Sequence, residues 1–312
     1  MWLVGGGGLL GSHVSALALR SGRQLHRSHV PWTSQDEALD VLCTDADALL
    51  SEEGEFDLVW CAGAGVVATS REDLNAEVAL LDRFVDHLTT LVSADTGSAA
   101  SLRVFLASSA GGVYGGSADP PFDESTPPRP LAPYGEAKLA AEGSMTRLAE
   151  HGVSVLIARI ANLYGPGQNL SKPQGLITQL CRAQIQRSPL QMYVSLDTAR
   201  DYLFVRDAAQ MVLAGMDRLA DEPAGTVITK ILASHAPTTL ATIIGELRRI
   251  SHRRPPIVLG SSPHTSLQSP DLRFTSRVWP ELDVLAHTTL PEGIAATLES
   301  VSAHLRAPAG SR

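Results

Sequence analysis

The first fourteen residues, Met1-Trp2-Leu3-Val4-Gly5-Gly6-Gly7-Gly8-Leu9-Leu10-Gly11-Ser12-His13-Val14, constrain the fold more than any other stretch. A short apolar strand runs directly into glycines at 5, 8 and 11, and then into a helical pattern through Leu19. Glycine permits the tight turn, lets backbone N–H groups approach an anion, and lets the helix pack close to the strand. The helix N-terminus then offers unpaired donors and the positive end of its dipole. A flexible N-terminal turn is the competing reading. The position of the glycines, one strand in from Met1 and ahead of an amphipathic helix, favours a pyrophosphate-binding turn at the start of a parallel sheet.

Strand and helix alternate after this unit. Strands are expected near 25–29, 39–42, 56–61, 102–107 and 153–160, with a long helix over 72–92 and another from Tyr134 to about Glu150. Repeated alternation implies an α/β fold with a doubly wound parallel sheet, right-handed crossovers and ligands at the carboxyl ends of the strands. Beyond Asn162 the texture weakens, with helices expected near 176–187, 207–219, 238–250 and 291–305. The proline-punctuated stretch 253–270 reads as loop. The expected division is a dinucleotide-binding domain over 1–165 with a returning segment at about 201–232. A smaller substrate-binding lobe takes 166–200 and 233–306, followed by a disordered tail at 307–312.

Composition narrows the function classes. The formal charge of −8 and the lack of any Lys/Arg run argue against nucleic-acid binding. No apolar run approaches membrane-spanning length, and a strand beginning at residue 2 leaves no room for a signal peptide. The three cysteines, Cys43, Cys61 and Cys181, form neither a metal motif nor a disulfide framework. A cytoplasmic protein without a metal is therefore expected.

Lysine is scarce: Lys138, Lys172 and Lys230 are the whole complement. One of them stands four residues after Tyr134 in Ala132-Pro133-Tyr134-Gly135-Glu136-Ala137-Lys138. On a helix this spacing puts phenol and ammonium on one face. The ammonium favours the ionised form of a neighbouring phenol, which suits proton transfer near neutral pH.

Taken in order along the chain, several segments together resemble one family. They are Gly5-x-x-Gly8-x-x-Gly11, Ser108-Ser109-Ala110-Gly111-Gly112-Val113-Tyr114-Gly115, Tyr134-x-x-x-Lys138, and Arg159-Ile160-Ala161-Asn162-Leu163-Tyr164-Gly165-Pro166-Gly167. Arg200-Asp201-Tyr202-Leu203-Phe204-Val205-Arg206-Asp207 and Leu290-Pro291-Glu292-Gly293-Ile294 extend the match toward the C-terminus. The chain resembles the extended short-chain dehydrogenase/reductases, in particular their nucleotide-sugar epimerase/dehydratase branch, whose fold is a Rossmann-type sheet with a C-terminal substrate lobe.

The resemblance implies catalytic roles for Ser109, Tyr134 and Lys138. Tyr134 would exchange a proton with a sugar oxygen while a nicotinamide carries hydride. Lys138 would bond the nicotinamide ribose, and Ser109 the reacting oxygen. Family members often have four residues from the catalytic Ser/Thr to the Tyr of V-Y-G. Here Ser109 to Tyr114 is five, which puts Ala110 in the expected place. A bulge at Gly111-Gly112 would restore Ser109; Ser108 or a backbone group are the alternatives, and a strand-end serine capping a turn is a further reading.

The implied cofactor site takes Gly5, Gly8, Leu9, Leu10 and Gly11 at the phosphates, and Ala62, Gly63 and Ser108 along the wall. Asn75 would support that wall, and Asp45 would bond the adenine amine. NAD-selective members end strand two with a carboxylate for the ribose 2′-OH. His29 stands there, beside Arg27 and Ser28, which favours NADP over NAD. The competing reading makes Arg27 and His29 solvated loop residues. For the substrate, the resemblance implies Ser109, Asn162, Arg200 and Arg273, the arginines toward phosphate oxygens.

The turn Ala110-Gly111-Gly112 lacks the acidic or paired groups that dehydratases of the family use. That leaves a 4-ketoreductase using NADPH, or an epimerase working through a transient ketone. A catalytically silent dinucleotide sensor and a reductase of a non-sugar ketone are the alternatives. A homodimer through the Tyr134 helix and the long helix before it is also expected.

Overall fold

The computed structural model describes residues 1–52, 54–94, 101–172, 175–260, 269 and 271–307. Six strands build the main sheet: β1 (Trp2–Val4), β2 (His26–Arg27), β3 (Phe56–Trp60), β4 (Leu102–Ser109), β5 (Ser154–Ile160) and β6 (Val227–Leu232). Every pairing among them is parallel, in the order β2-β1-β3-β4-β5-β6. All seven residues of β5 are buried, as a strand covered on both faces requires.

Helices α1 (Leu9–Arg20), α2 (Gln35–Leu50), α3 (Arg71–Ala94), α4 (Ala110–Tyr114), α5 (Pro133–Thr146), α6 (Leu176–Gln186), α7 (Val205–Ala220), α8 (Leu240–Ser251) and α9 (Leu290–Arg306) complete the frame. One core joins Leu10, Val14 and Ala18 of α1 to Met211, Val212 and Met216 of α7 on one side of the sheet. The other joins Leu42 of α2, Phe84 and Leu88 of α3 and Met145 of α5 on the opposite side. This is the doubly wound Rossmann-type architecture that the alternation predicts.

The expected strand at 39–42 is corrected: those residues lie inside α2. Ala38, Leu42 and Ala46 recur every fourth residue and all three are fully buried, which is a helical stripe and not a strand's alternation. Ser34 caps the helix by accepting from Glu37 N at 3.4 Å, and Asp36 and Glu37 fill the first turn. The correction changes the sheet. Open sheets of this type commonly run 3-2-1-4-5-6. Here β2 leads through a short turn into α2 and then to β3, so β2, two residues long, is the sheet's edge.

A third core holds the C-terminal half together, with Ile177, Leu180 and Cys181 of α6, Leu240, Ile243 and Leu247 of α8, and Ile294 and Val301 of α9. Small sheets tie it to the main body. Asn162–Tyr164 pairs with Tyr202–Phe204, and Ala199–Arg200 lies between Thr238–Thr239 and Asp271–Leu272. The expected loop at 253–270 contains a strand, Ile257–Leu259, which pairs with Leu190–Met192. The rest of that expectation falls partly on 261–268 and 270, outside the described residues, as do 308–312 of the expected tail. Among the described residues no helix is long and apolar enough to cross a membrane.

Candidate active site at the switch in strand order

Strand order reverses between β1 and β3, so the crevice at their carboxyl ends is where a parallel sheet of this type takes a ligand. Its floor is the glycine turn. A Cβ on Gly5 would collide with the backbone of Cys61 and Ala62, and one on Gly11 with the carbonyl of Gly5. Gly5 also has φ +87°, a conformation that glycine adopts without strain. Space around Gly7 is open, and α1 begins at Leu9 after Gly8 with no side-chain cap. The first N–H groups of α1, Leu9 and Leu10 among them, therefore face the crevice without a side-chain acceptor, as a phosphate cradle needs. The backbone fits a dinucleotide pyrophosphate.

The turn after β3 forms one wall. Gly63 has φ +146°, and a Cβ there would lie 3.0 Å from Glu77 Oε1 and 3.1 Å from Lys138 Nζ. Glu77 Oε2 accepts from Ala64 N at 3.1 Å and Gly65 N at 3.2 Å, which fixes the turn. Glu77 is the residue that sequence reasoning missed. It follows buried Leu74 by three and precedes buried Leu81 by four, so helical phase, once that burial is known, puts it on the inner face of α3. Asn75 is next to Leu74 and is turned away. It lines a groove of about 350 Å³ on the outer side of α3 and α5 with Val78, Ala79, Ala137 and Ala140. Its expected place against the cofactor wall is therefore corrected. Enclosure raises the Cys61 thiol to about 12, which leaves it protonated and inert.

Tyr134 and Lys138 rise from the first turns of α5, which Pro133 starts at its first position. The Lys138 ammonium lies 5.8 Å from the centroid of the Tyr134 ring. The ring fits between two glycines: a Cβ on Gly112 would stand 3.0 Å from Tyr134 Cε1, and one on Gly65 3.8 Å from Cδ2. The same Gly112 position is 3.3 Å from Ser109 Oγ, so Ser109, Tyr134 and Lys138 share one end of the crevice.

Ser109 is the N-cap of α4 and its Oγ accepts from Gly112 N at 3.2 Å. That bond uses a lone pair and leaves the hydroxyl proton free to donate. The segment after Ser109 is a short helix and not the expected bulge, and Ala110 is fully buried in the core. Ser108 points the other way. Its hydroxyl donates to Glu142 Oε1 at 2.5 Å inside a buried group in which Arg159 Nη2 meets Glu142 Oε2 at 2.7 Å and Arg159 Nη1 donates to Tyr114 at 2.6 Å. Ser108 thus belongs to the support beneath the site.

At the far end, Gly5, Gly6, Gly7, Ser28, His29, Val30, Pro31 and Trp32 enclose a pocket of about 320 Å³. Arg27 lies on its rim, its Cδ 3.7 Å from where a Gly6 Cβ would be. Asp45 does not line this pocket. Its carboxylate accepts from Ser28 Oγ at 2.5 Å and lies 3.1 Å from His26 Nε2, so it braces the end of β2 from behind. Both contacts use Oδ2, so the structure sets Asp45 one side chain away from the pocket, behind Ser28.

On the substrate side, Arg200 is buried and donates to the carbonyls of Ala199 at 2.9 Å and Ser269 at 2.5 Å. Burial lowers its pKa below the ordinary arginine value, an effect that the nearby Asp271 charge partly offsets. Arg273 is instead committed to Asp271 at 2.8 Å. Asn162 is exposed, with its Nδ2 donating to the Asp201 carbonyl at 2.9 Å. Among the described residues no group of His, Cys, Asp and Glu could hold a metal ion.

Comparison with known proteins supplies a family and a fold. A family model described as the NAD dependent epimerase/dehydratase family matches residues 1–229. The dTDP-4-dehydro-6-deoxyglucose reductase of Escherichia coli is 32% identical over 117 residues, covering 37% of this chain and 36% of that protein. The human dTDP-D-glucose 4,6-dehydratase is 35% identical over 121 residues, 38% of this chain and 33% of its own length. These matches span about a third of the relatives' length. Among solved structures, the UDP-glucose 4-epimerase of Thermotoga maritima with UDP-glucose superposes with a TM-score of 0.81 at 19% identity, covering 98% of this chain and 99% of that one. MoeE5 in complex with UDP-glucuronic acid and NAD gives 0.75 at 24% identity, covering 97% and 99%. At such identities the likeness is one of fold.

Proposed function

The chain belongs to the NAD dependent epimerase/dehydratase family, and from that premise we propose that it reduces the keto group of a nucleotide-activated sugar with NADPH. The observation that carries this reading is the convergence of Ser109, Tyr134 and Lys138 on one end of a crevice whose other end is a glycine-floored phosphate cradle. The bound dinucleotide supplies the hydride. Tyr134 delivers the one proton the carbonyl oxygen needs as it gains charge, and Ser109 keeps its proton while its hydroxyl donates a hydrogen bond to the same oxygen. The Lys138 ammonium stabilises the negative charge left on the phenol. Glu77 keeps the Ala62–Gly65 wall in place by holding two of its N–H groups.

Two features support reduction over the family's other reactions. The α4 turn after Ser109 is Ala110-Gly111-Gly112, which offers no side-chain acid or base for elimination. The adenosine end lies on an edge strand of two residues, which suits a dinucleotide that leaves after each turnover. An epimerase must keep its cofactor through two half-reactions. For NADP, the support is local: His29 lines the pocket beside the glycine turn, Arg27 lies on its rim, and no carboxylate is among the described lining residues. Arg200 is assigned to the substrate diphosphate because a guanidinium fork suits phosphate oxygens. The reading divides the chain into a dinucleotide-binding part, 1–165 with 201–232, and a substrate lobe from the remainder through 306. A homodimer is proposed across the groove between α3 and α5, where Ala79, Ala137 and Ala140 allow close helix approach.

The test mixes pure protein with NADPH and dTDP-4-dehydro-6-deoxyglucose and follows the reduced nicotinamide absorbance. Stoichiometric NADPH loss with formation of a 4-hydroxy sugar is expected, and NADH should bind more weakly. A sugar inverted without net cofactor change would make the protein an epimerase. No turnover with any keto sugar nucleotide would overturn the reading.

A further inference from the structure

We infer that Trp32 is the platform on which the base at the adenosine end stacks, and that this chain reads the base by its π-face and not through its exocyclic amine. The inference rests on the dinucleotide reading above and extends it to one residue that neither the glycine motif nor the Tyr134 segment indicates.

Among the described residues the sheet stops at β2, and no further strand closes the adenosine end. What closes it is the turn Val30-Pro31-Trp32, pinned by Trp32 N donating to Val30 O at 3.0 Å and Ser34 N to Pro31 O at 3.1 Å. Trp32 is 49% exposed, whereas Trp2, Trp60 and Trp279 are all buried. Its indole is nonetheless held. It meets Trp60 edge-on at 6.4 Å between centroids, and Trp60 in turn stacks on Phe84 at 5.5 Å. One edge is therefore anchored to the core while the ring also lines the 320 Å³ pocket beside the glycine turn.

Apart from Arg27 and His29, which the NADP reading assigns to the 2′-phosphate, the polar side chains near this pocket are already engaged. Ser28 Oγ accepts from Trp2 Nε1 at 2.7 Å and donates to Asp45, and Asp45 also pairs with His26. The lining offers no carboxylate or side-chain amide to meet an exocyclic amine. A planar base entering here finds an indole face as its principal partner, and stacking of that kind does not distinguish among purines.

Calorimetric titration of the whole protein tests this, using NADPH, its hypoxanthine analogue, and nicotinamide mononucleotide, which lacks the adenosine end. Wild type should bind the hypoxanthine analogue as tightly as NADPH. Trp32→Ala should weaken both dinucleotides about tenfold and alike, the lower part of the range for an aromatic–base stack. Trp32→Phe should lose less, and the mononucleotide should bind all three proteins equally. Dinucleotide should also quench the exposed indole's fluorescence in wild type, an effect absent from Trp32→Phe. Because Trp32 is exposed, both variants should keep the wild-type circular dichroism. The inference is overturned if Trp32→Ala binds NADPH like wild type, or if the hypoxanthine analogue binds wild type tenfold more weakly. Failure of wild type to bind any dinucleotide would instead remove the proposed function, and this inference with it.

Discussion

Tyr134 is clasped between Gly65 and Gly112, so its hydroxyl can be removed without disturbing the crevice. Tyr134→Phe should therefore lower kcat by roughly 10²–10⁴-fold, the usual weight of general acid–base help, and leave dinucleotide affinity unchanged. Steady-state rates beside a binding titration check this; an unaltered kcat would remove Tyr134 from the proton path. Gly135 is a harsher site. A Cβ there would run into the Gly112 carbonyl and crowd Pro130 Cβ at 2.7 Å, forcing α5 away from α4. Gly135→Ala should cost about 1–3 kcal/mol in denaturant unfolding, the range for overpacking. Its kcat should fall further than stability alone explains, because the Tyr134–Ser109 spacing opens. Residues whose placement depends on local spacing were readable in advance: Gly5, Gly11, Tyr134 and Lys138 each announce themselves within a few positions. Asn75 and Glu77 were not, because one position on a helix turns a side chain by about 100°. Only the burial of Leu74 and Leu81 tells which of the two faces inward.

At the scale of elements, α5 is fixed to the sheet by charge as well as by apolar packing. Glu142, on the helix that carries Tyr134 and Lys138, is gripped by Arg159 from β5 and Ser108 from β4. All three are buried, so removing one partner strands a charge in a poor solvent for it. Glu142→Gln should cost about 3–5 kcal/mol, whereas Glu142→Leu combined with Arg159→Met should recover much of that loss. Urea unfolding of the two variants distinguishes a pair that matters from one that is incidental. Elements also show where sequence reading stops. Long strands such as β4 and β5, and helices such as α3 and α7, carry enough periodicity to be located to within a few residues. α2 does not: its 39–42 stretch looks like a strand in isolation. Its helical stripe appears only when Ala38 and Ala46 are counted with Leu42, and small alanines give a weak signal.

Across the whole molecule, a charged cluster joins β6 to the segment before α9. Lys230 is fully buried and bonds Ser276 Oγ at 2.9 Å, Val278 O at 2.6 Å and Asp283 Oδ1 at 2.8 Å. His235 Nε2 is 3.3 Å from the same Asp283 oxygen, poorly aligned for a hydrogen bond yet close enough to pair as an ion. That contact raises the His235 pKa. Burial pushes Asp283 upward, but the contacts from His235 and Lys230 outweigh it and hold Asp283 low. The signs follow from linkage. A raised histidine adds stability that is complete below its unfolded value, about 6.5, and is lost as pH climbs through the folded value. A lowered Asp283 adds stability above about 3.9 that is lost as pH falls through its folded value. Asp201, raised chiefly by burial, acts in the same sense as His235 from a lower starting point. Urea midpoints should therefore decline from mildly acid to alkaline pH. His235→Asn should flatten that slope above about 6.5, and an unchanged slope would exclude this cluster as its source.

The burial of Lys230 has a practical consequence. With three lysines in the chain, one sealed in the interior and Lys172 on the surface, Lys138 is the single remaining ε-amine, half-enclosed in the cleft. An acylating reagent applied to the native protein reports on two side chains besides the N-terminus. Peptide mass spectrometry can then read shielding of one against the other as an internal standard, a direct footprint of cleft occupancy that needs no turnover.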